Sequence, residues 1–192
     1  GLTVFNGNAI AVRGTHVYMS SGSGWTQLTD NGTYSSAGIT LGGTGKVRFT
    51  QHSFTGTKTL LIVDGTNKPF KFDGTTFSSI TTATSDQDDT TFVVAHREHI
   101  FLVKDKLLTF GAPLSDSDYT VASGAGFFRF TNPITGIVPF RDQLFVFTAN
   151  SIDVISGSSE AEFTKQTITK DVGAVKEDTI QEIGGDVIFL GP

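Results

Sequence analysis

A cluster of apolar residues recurs five times along this 192-residue chain, with starting positions 43, 40, 44 and 43 residues apart. Each cluster is about one β-strand long, and turns rich in Gly and Asp separate the clusters. The five clusters cover residues 17–19, 60–63, 100–103, 144–147 and 187–190. A period in the low forties built of short strands is typical of β-propeller blades, which contain four strands each.

Each cluster forms the second strand of a predicted hairpin. The preceding strands are predicted at residues 9–12, 47–54, 92–95, 134–140 and 174–183. A second hairpin follows the cluster and supplies the outer half of the blade, at 69–72 with 77–80, 107–110 with 119–122, and 152–155 with 163–168. No segment shows the i, i+3, i+4 apolar spacing of a helix. We therefore predict an all-β chain: a β-propeller of four-stranded antiparallel blades, with four to five blades present, as part of a larger protein.

The predicted repeats span residues 1–45, 46–89, 90–131 and 132–171, with an incomplete repeat at 172–192. Residues 2–5 have the pattern of the outermost strand of a preceding blade. The N-terminal strand could complete the last blade and close the ring, but such closure still leaves one strand missing. We therefore favour a segment of a longer polypeptide, and a chain that begins after processing is the alternative.

Composition excludes several classes of function. The chain has no cysteine, which excludes disulfides, thiol catalysis and Cys-ligated zinc. Its net charge of −5, without a basic run, disfavours binding to a nucleic-acid backbone. The charge argues only against tight binding, and not against a wall past which DNA moves. The apolar runs are too short for a membrane-spanning segment.

We predict no catalytic, cofactor-binding or metal site. A glycosidase needs two carboxylates a few ångströms apart, but the acidic residues fall mainly in turns, where Asp stabilises the local backbone. These turn residues are Asp64, Asp73, Asp105, Asp142 and Asp186. Arg97 and Arg141 occupy equivalent places in two repeats, which favours a structural role over a substrate clamp. His96 and His99 flank a turn with no third ligand spaced to help them.

Aromatic residues are the candidates for an interaction surface. Phe127, Phe128 and Phe130 fall between two predicted blades, so they should bury either in the groove between blades or against another subunit; we favour the groove. A lectin-like propeller would instead present aromatic rings to sugars. The candidates for that role are Trp25, Tyr34 and Tyr119.

Three stretches of the sequence resemble virion proteins of tailed bacteriophages. They are residues 60–74, residues 134–148, and the end of the chain at 171–174 and 183–191. The family with the closest resemblance is the tail nozzle, also called tail-hub or tail tubular protein, of short-tailed phages, which carries a propeller domain.

The resemblance implies a non-catalytic structural component of the virion that takes part in viral genome ejection. Its copies would form a hexameric ring below the portal and adaptor, around the DNA exit channel, with docking surfaces for tail fibres. This chain would be the peripheral propeller of that protein. A carbohydrate- or receptor-binding propeller is the alternative, and a glycosidase comes third.

Overall fold

The computed structural model describes residues 1–29, 39–43, 45–80 and 85–192. These residues form eighteen β-strands and three short 3-10 helices, and no α-helix occurs among them. The predicted all-β class is therefore confirmed. The chain divides into two compact units, Gly1–Ala95 and His96–Pro192, which we describe in turn. The 3-10 helices are Ser85–Gln87, Val121–Ser123 and Glu177–Thr179.

The first sheet contains four antiparallel strands in the order β1-β2-β3-β4. They are β1 (Leu2–Phe5), β2 (Asn8–Arg13), β3 (His16–Ser21) and β4 (Gly24–Gln27). Side chains alternate between the two faces of a strand. Phe5, Ile10 and Val17 accordingly share one face, and all three are buried. The opposite face carries Leu2 and Val4.

The prediction that residues 2–5 belong to a preceding blade is wrong. β1 pairs with β2 of the same sheet, from Leu2 opposite Ala11 to Phe5 opposite Asn8. Asn6 and Gly7 form the connecting turn, with φ of 49° and 79°. Asn-Gly is the favoured sequence for a two-residue hairpin turn with both φ values positive. As a result, the first apolar cluster lies in the third strand of its sheet.

The second sheet has the order β5-β6-β7-β8 and packs against the first sheet. Its strands are β5 (Arg48–His52), β6 (Thr59–Val63), β7 (Phe70–Phe72) and β8 (Phe77–Ser79). All of β6 is buried, which explains its continuous apolar sequence. The rings of Phe5 and Phe72 lie 5.7 Å apart in the shared core.

The third sheet has the order β12-β11-β10-β9. Its strands are β9 (Phe92–His96), which crosses the unit boundary, β10 (His99–Lys104), β11 (Leu107–Phe110) and β12 (Gly126–Arg129). The predicted fourth strand at 119–122 is wrong, because a 3-10 helix begins at Val121. The Phe-rich stretch is also not a linker between blades, since it forms β12 and pairs with β11.

The fourth sheet follows in the order β13-β14-β15-β16, and a two-stranded hairpin ends the chain. The strands of the sheet are β13 (Ile134–Phe140), β14 (Gln143–Thr148), β15 (Ile152–Ser156) and β16 (Thr164–Thr169). The hairpin consists of β17 (Gln181–Ile183) and β18 (Asp186–Ile188). The predicted strand over 174–183 is thus only its last three residues, because the 3-10 helix Glu177–Thr179 interrupts it.

Candidate interaction surfaces

Large apolar side chains on the outer face of the first sheet are exposed to solvent. Leu2 is 72% exposed, Val4 is 61% exposed and Trp25 is 55% exposed. The strand register places them on one face, because Val4 lies opposite Ala9, Ala9 donates its amide to Ser20, and Ser20 lies opposite Trp25. Burying a large apolar side chain that was exposed to water lowers the free energy by about 1.5–3 kcal/mol. This face, which we call the β1–β4 face, is therefore a strong candidate for a protein contact.

A shallow depression lies beside Trp25 on the β1–β4 face. It has a volume of about 280 Å³ and is lined by Ala11, Arg13, Tyr18 and Trp25. An arginine beside two aromatic rings is a combination enriched where proteins bind other proteins. The predicted candidate Trp25 is thus exposed and belongs to a defined surface.

The C-terminal hairpin exposes a second apolar face. Ile188 lies opposite Gln181 in the hairpin. Gln181 and Ile183 are two residues apart on one strand and therefore point to the same side. Both isoleucines thus lie on the same side of the hairpin. Ile183, Ile188 and the following Leu190 are each more than half exposed. The other side is packed, with the rings of Phe147 and Phe189 5.2 Å apart. We call the exposed side the β17–β18 face, and its Asp186 is also exposed.

The β17–β18 face is not among the surfaces predicted from the sequence, although the sequence contains a signal for it. Gly184 and Gly185 form a turn with φ of 61° and 86°, which fixes the register of the hairpin. Once that register is set, period-two alternation places Ile183 and Ile188 together. The predicted long strand over 174–183 concealed this relationship.

The three predicted phenylalanines have different environments. Phe130 is buried, Phe128 is half-buried with its ring 5.9 Å from that of Phe110, and Phe127 is 55% exposed. The guanidinium of Arg129 lies 5.2 Å from the centre of the Phe127 ring. Only Phe127 of the three is therefore open to a partner, at the edge of the third sheet.

The two predicted tyrosines do not join Trp25. Tyr34 lies outside the described residues. Tyr119 is buried, its hydroxyl has no hydrogen-bond partner among the described residues, and burial raises its pKa. A ring enclosed in this way is not available to a sugar, so the prediction of an exposed Tyr119 is wrong. The 3-10 helix that replaces the predicted strand accounts for the difference.

Asp64 organises the backbone after the second apolar cluster. Its carboxylate accepts hydrogen bonds from the amides of Gly42 (2.8 Å), Thr66 (3.0 Å) and Asn67 (2.8 Å), and from the side chain of Asn67 (2.7 Å). Burial alone would raise the pKa of Asp64, but these four bonds together lower it below its ordinary value. This carboxylate is a structural acceptor.

Thr148 occupies the equivalent position after the fourth apolar cluster. Its hydroxyl accepts from the amides of Asn150 (3.4 Å) and Ser151 (3.0 Å), as Asp64 does from the residues two and three positions on. A polar side chain that bonds its own following turn is a common stabiliser of tight turns. The recurrence in two sheets supports a structural reading of this position.

His96 and His99 lie in different environments. His99 is buried, with its Nδ1 2.6 Å from the carbonyl oxygen of Gly111 and its ring edge-on to Phe110 and Phe163 at 5.7 and 5.1 Å. Burial, and next the charge of Arg97, lower the pKa of His96. The described residues contain no group of three His, Asp or Glu side chains placed to hold a metal ion.

No helix among the described residues has the length and apolar character needed to cross a membrane.

No protein-family model and no curated protein matches this sequence. Solved structures do match. The chain is similar to BBS1N in a crystal structure of its complex with ARL6DN, with 9% identity and a TM-score of 0.53; the match covers 94% of this chain and 55% of that chain. It is also similar to PorZ, a surface component of the type-IX secretion system of Porphyromonas gingivalis, with 13% identity, a TM-score of 0.47, and coverage of 95% and 26%.

The likeness to BBS1N, a β-propeller protein, confirms the predicted fold class. This chain spans about half the length of the BBS1N chain that it matches. Identity this low establishes the fold alone, because one fold hosts many unrelated functions. Neither of the two similar structures is a phage tail protein.

Proposed function

We propose that this chain is a non-catalytic structural component of a phage tail, whose propeller blades contact other copies of the same protein. The observation that carries the proposal is the pair of exposed apolar surfaces, the β1–β4 face and the β17–β18 face. The resemblance of residues 60–74 and 134–148 to tail nozzle proteins supplies the virion setting.

The two faces differ from each other, which favours a head-to-tail contact between copies. A contact between two different patches produces a closed ring when the rotation between copies closes. The charges are complementary as well, since Arg13 lines the β1–β4 face and Asp186 lies on the β17–β18 face. Opposite charges at the edge of an apolar contact select the partner and its register.

The hydrogen bonds of the carboxylates support a role without catalysis. Asp64, Asp73 and Asp118 each accept hydrogen bonds from nearby backbone amides. A catalytic acid pair would instead need two carboxylates facing one cleft. These three carboxylates stabilise the backbone of their own turns.

The remaining partners follow from the resemblance. A ring of this kind would lie below the portal and adaptor proteins, surround the DNA exit channel, and offer its outer surfaces to tail fibres. DNA would be present only as transiting cargo, and the net charge of −5 suits a peripheral propeller that does not bind it tightly. Phe127, exposed at the edge of the third sheet, is a candidate contact for a fibre protein.

Site-directed cross-linking tests the head-to-tail contact, because the chain has no cysteine of its own. Arg13→Cys and Asp186→Cys variants are prepared separately, mixed, and treated with a short bis-maleimide. The proposal predicts a cross-linked dimer that contains one copy of each variant. A mixture of Arg13→Cys with Lys106→Cys is the matched control and should stay monomeric. If the first mixture also stays monomeric, the contact does not exist.

A further inference from the structure

A polar cavity of about 280 Å³ lies on the fourth sheet, beside the start of β15 and the end of β16. Its walls include Asn150, Asp153, Thr167 and Lys170. Sites for small molecules typically measure about 300–1,000 Å³. This cavity is therefore suited to a single ring rather than to an extended ligand. It lies on a different sheet from the β1–β4 face.

Asp153 is a buried carboxylate with unused hydrogen-bonding capacity. It is 5% exposed, its Oδ1 accepts from the hydroxyl of Thr167 at 2.6 Å, and its Oδ2 accepts from the hydroxyl of Ser151 at 3.3 Å. A carboxylate can accept about four hydrogen bonds. Burying a charge is costly unless its acceptors are satisfied. A ligand hydroxyl in the cavity would supply the donors that Asp153 lacks.

Hydrogen-bond donors line the same cavity. The amide oxygen of Asn150 accepts from Asn132 at 2.8 Å and from Thr148 at 3.3 Å, so the orientation of its amide is fixed. The side-chain nitrogen of Asn150, Nδ2, makes no hydrogen bond within the described part of the chain. Lys170 likewise has neither an ion pair nor a hydrogen bond to any described residue; it is exposed and lines the cavity.

The wall also has an apolar patch. The Phe130 ring lines the cavity, and the ammonium of Lys165 lies 4.5 Å from its centre while donating to the carbonyl oxygen of Arg129 at 2.8 Å. The aliphatic stem of a lysine held in this way contributes apolar surface. C–H groups of a ligand could pack there, while its polar groups face Asp153 and Asn150.

This combination of groups selects one class of ligand. A hydroxyl group both donates and accepts, so adjacent hydroxyls match a carboxylate beside an amide N–H and an ammonium. An inorganic anion would meet the buried carboxylate of Asp153, and the two like charges would repel each other. We propose that the cavity binds one hexopyranose ring of a glycan, with its vicinal hydroxyls shared between Asp153 and Asn150 and a further oxygen bound by Lys170.

Saturation-transfer-difference NMR on the full chain tests this proposal. The probes are glucose, galactose, mannose and N-acetylglucosamine, each at about 10 mM, which exceeds a Kd of about 1 mM. We expect saturation transfer to at least one sugar. Asp153→Asn and Lys170→Ala should each weaken its binding by about tenfold, and Lys176→Ala, an exposed lysine outside the cavity, should leave it unchanged.

Three results would overturn the proposal. They are the absence of transfer to all four sugars, equal transfer in the unmodified chain and in Lys170→Ala, and displacement of the sugar by inorganic phosphate at about 10 mM. Lys170 is exposed and unpaired, so its alanine variant should fold even if Asp153→Asn does not. The experiment does not depend on whether the protein forms a ring.

Discussion

The guanidinium of Arg97 lies 2.8 Å from the carboxylate of Asp142. Arg97 is in the turn between β9 and β10, and Asp142 is in the turn between β13 and β14. Arg141, the neighbour of Asp142, donates in the same way to the carbonyl oxygen of Gly185, at 3.0 Å. Each arginine thus bonds the equivalent turn one repeat further along the chain. The repeated arginine therefore links consecutive hairpins, a contact that the sequence-based prediction of a structural role within the hairpin did not include.

The Arg97–Asp142 pair should contribute little stability, because both side chains are exposed to solvent. We expect a double-mutant cycle with Arg97→Gln and Asp142→Asn to give a coupling energy of about 0.2–1 kcal/mol. The coupling should decrease with added salt, since salt screens exposed charges. Urea denaturation at low and high salt measures it. A coupling that does not change with salt would contradict the assignment as an exposed ion pair.

Asp64→Asn should destabilise the fold at neutral pH by about 1–3 kcal/mol, because it removes the charge from a buried acceptor of four hydrogen bonds. The pKa of Asp64 is lowered in the folded state, so its contribution is present above its ordinary value of 3.8 and is lost as the pH falls through the depressed value. The difference between the variant and the unmodified chain should therefore shrink at acidic pH. Denaturation curves over a pH series measure it.

Asp73→Asn is the matched control for Asp64→Asn. The Asp73 carboxylate also accepts two backbone amides, from Thr75 and Thr76 at 2.7 Å each, but it is exposed. Water can replace these bonds, so we expect a smaller loss of stability than at Asp64. Equal losses at the two positions would show that burial of Asp64 does not matter.

Gly173→Ala should destabilise the second unit by about 1–3 kcal/mol. A Cβ at this position would contact the carbonyl oxygen of Thr148, and it would lie 2.7 Å from both the Ala149 carbon and the Asn150 nitrogen. These are backbone atoms of a hydrogen-bonded turn, so they cannot move aside cheaply. Thermal unfolding measures the loss. Gly22→Ala, where a Cβ meets no atom within 4 Å, should change stability by less than about 0.5 kcal/mol.

Trp25→Ser should leave the melting temperature almost unchanged while weakening self-association. The indole is 55% exposed, so its removal creates no core cavity, but it takes away the largest apolar group of the β1–β4 face. Phe77→Ser, in the buried core of the first unit, should instead unfold the chain. Sedimentation velocity and thermal unfolding on the same samples separate the two effects. Self-association unaffected by Trp25→Ser would exclude this residue from the contact.

The sequence predicts the strands well where alternation and a fixed period act together. In the fourth sheet the predicted strands at 134–140, 152–155 and 163–168 correspond in order to β13, β15 and β16, and the apolar cluster lies in β14 between them. The repeat of 40–44 residues predicts the propeller class. Alternation and repeat spacing are both properties of the sequence itself, so a single sequence contains them.

The sequence-based predictions are wrong where a segment could form either of two local structures and tertiary packing decides between them. The segment at 119–122 has a strand-like composition, but Tyr119 buries its ring and the chain turns into a 3-10 helix at Val121. Gly126 then lets β12 approach the Phe110 ring, which a Cβ would meet at 2.6 Å. The cavity around Asp153 could not be predicted either, since its polar groups come from segments separated in sequence and joined only by strand register.

Electron microscopy of the purified protein tests the proposed head-to-tail ring most directly. We predict a closed ring, sixfold as in the tail nozzle family, in which the β1–β4 face of each copy contacts the β17–β18 face of the next. Monomeric particles, or a ring in which both faces stay in water, would contradict the proposed head-to-tail assembly.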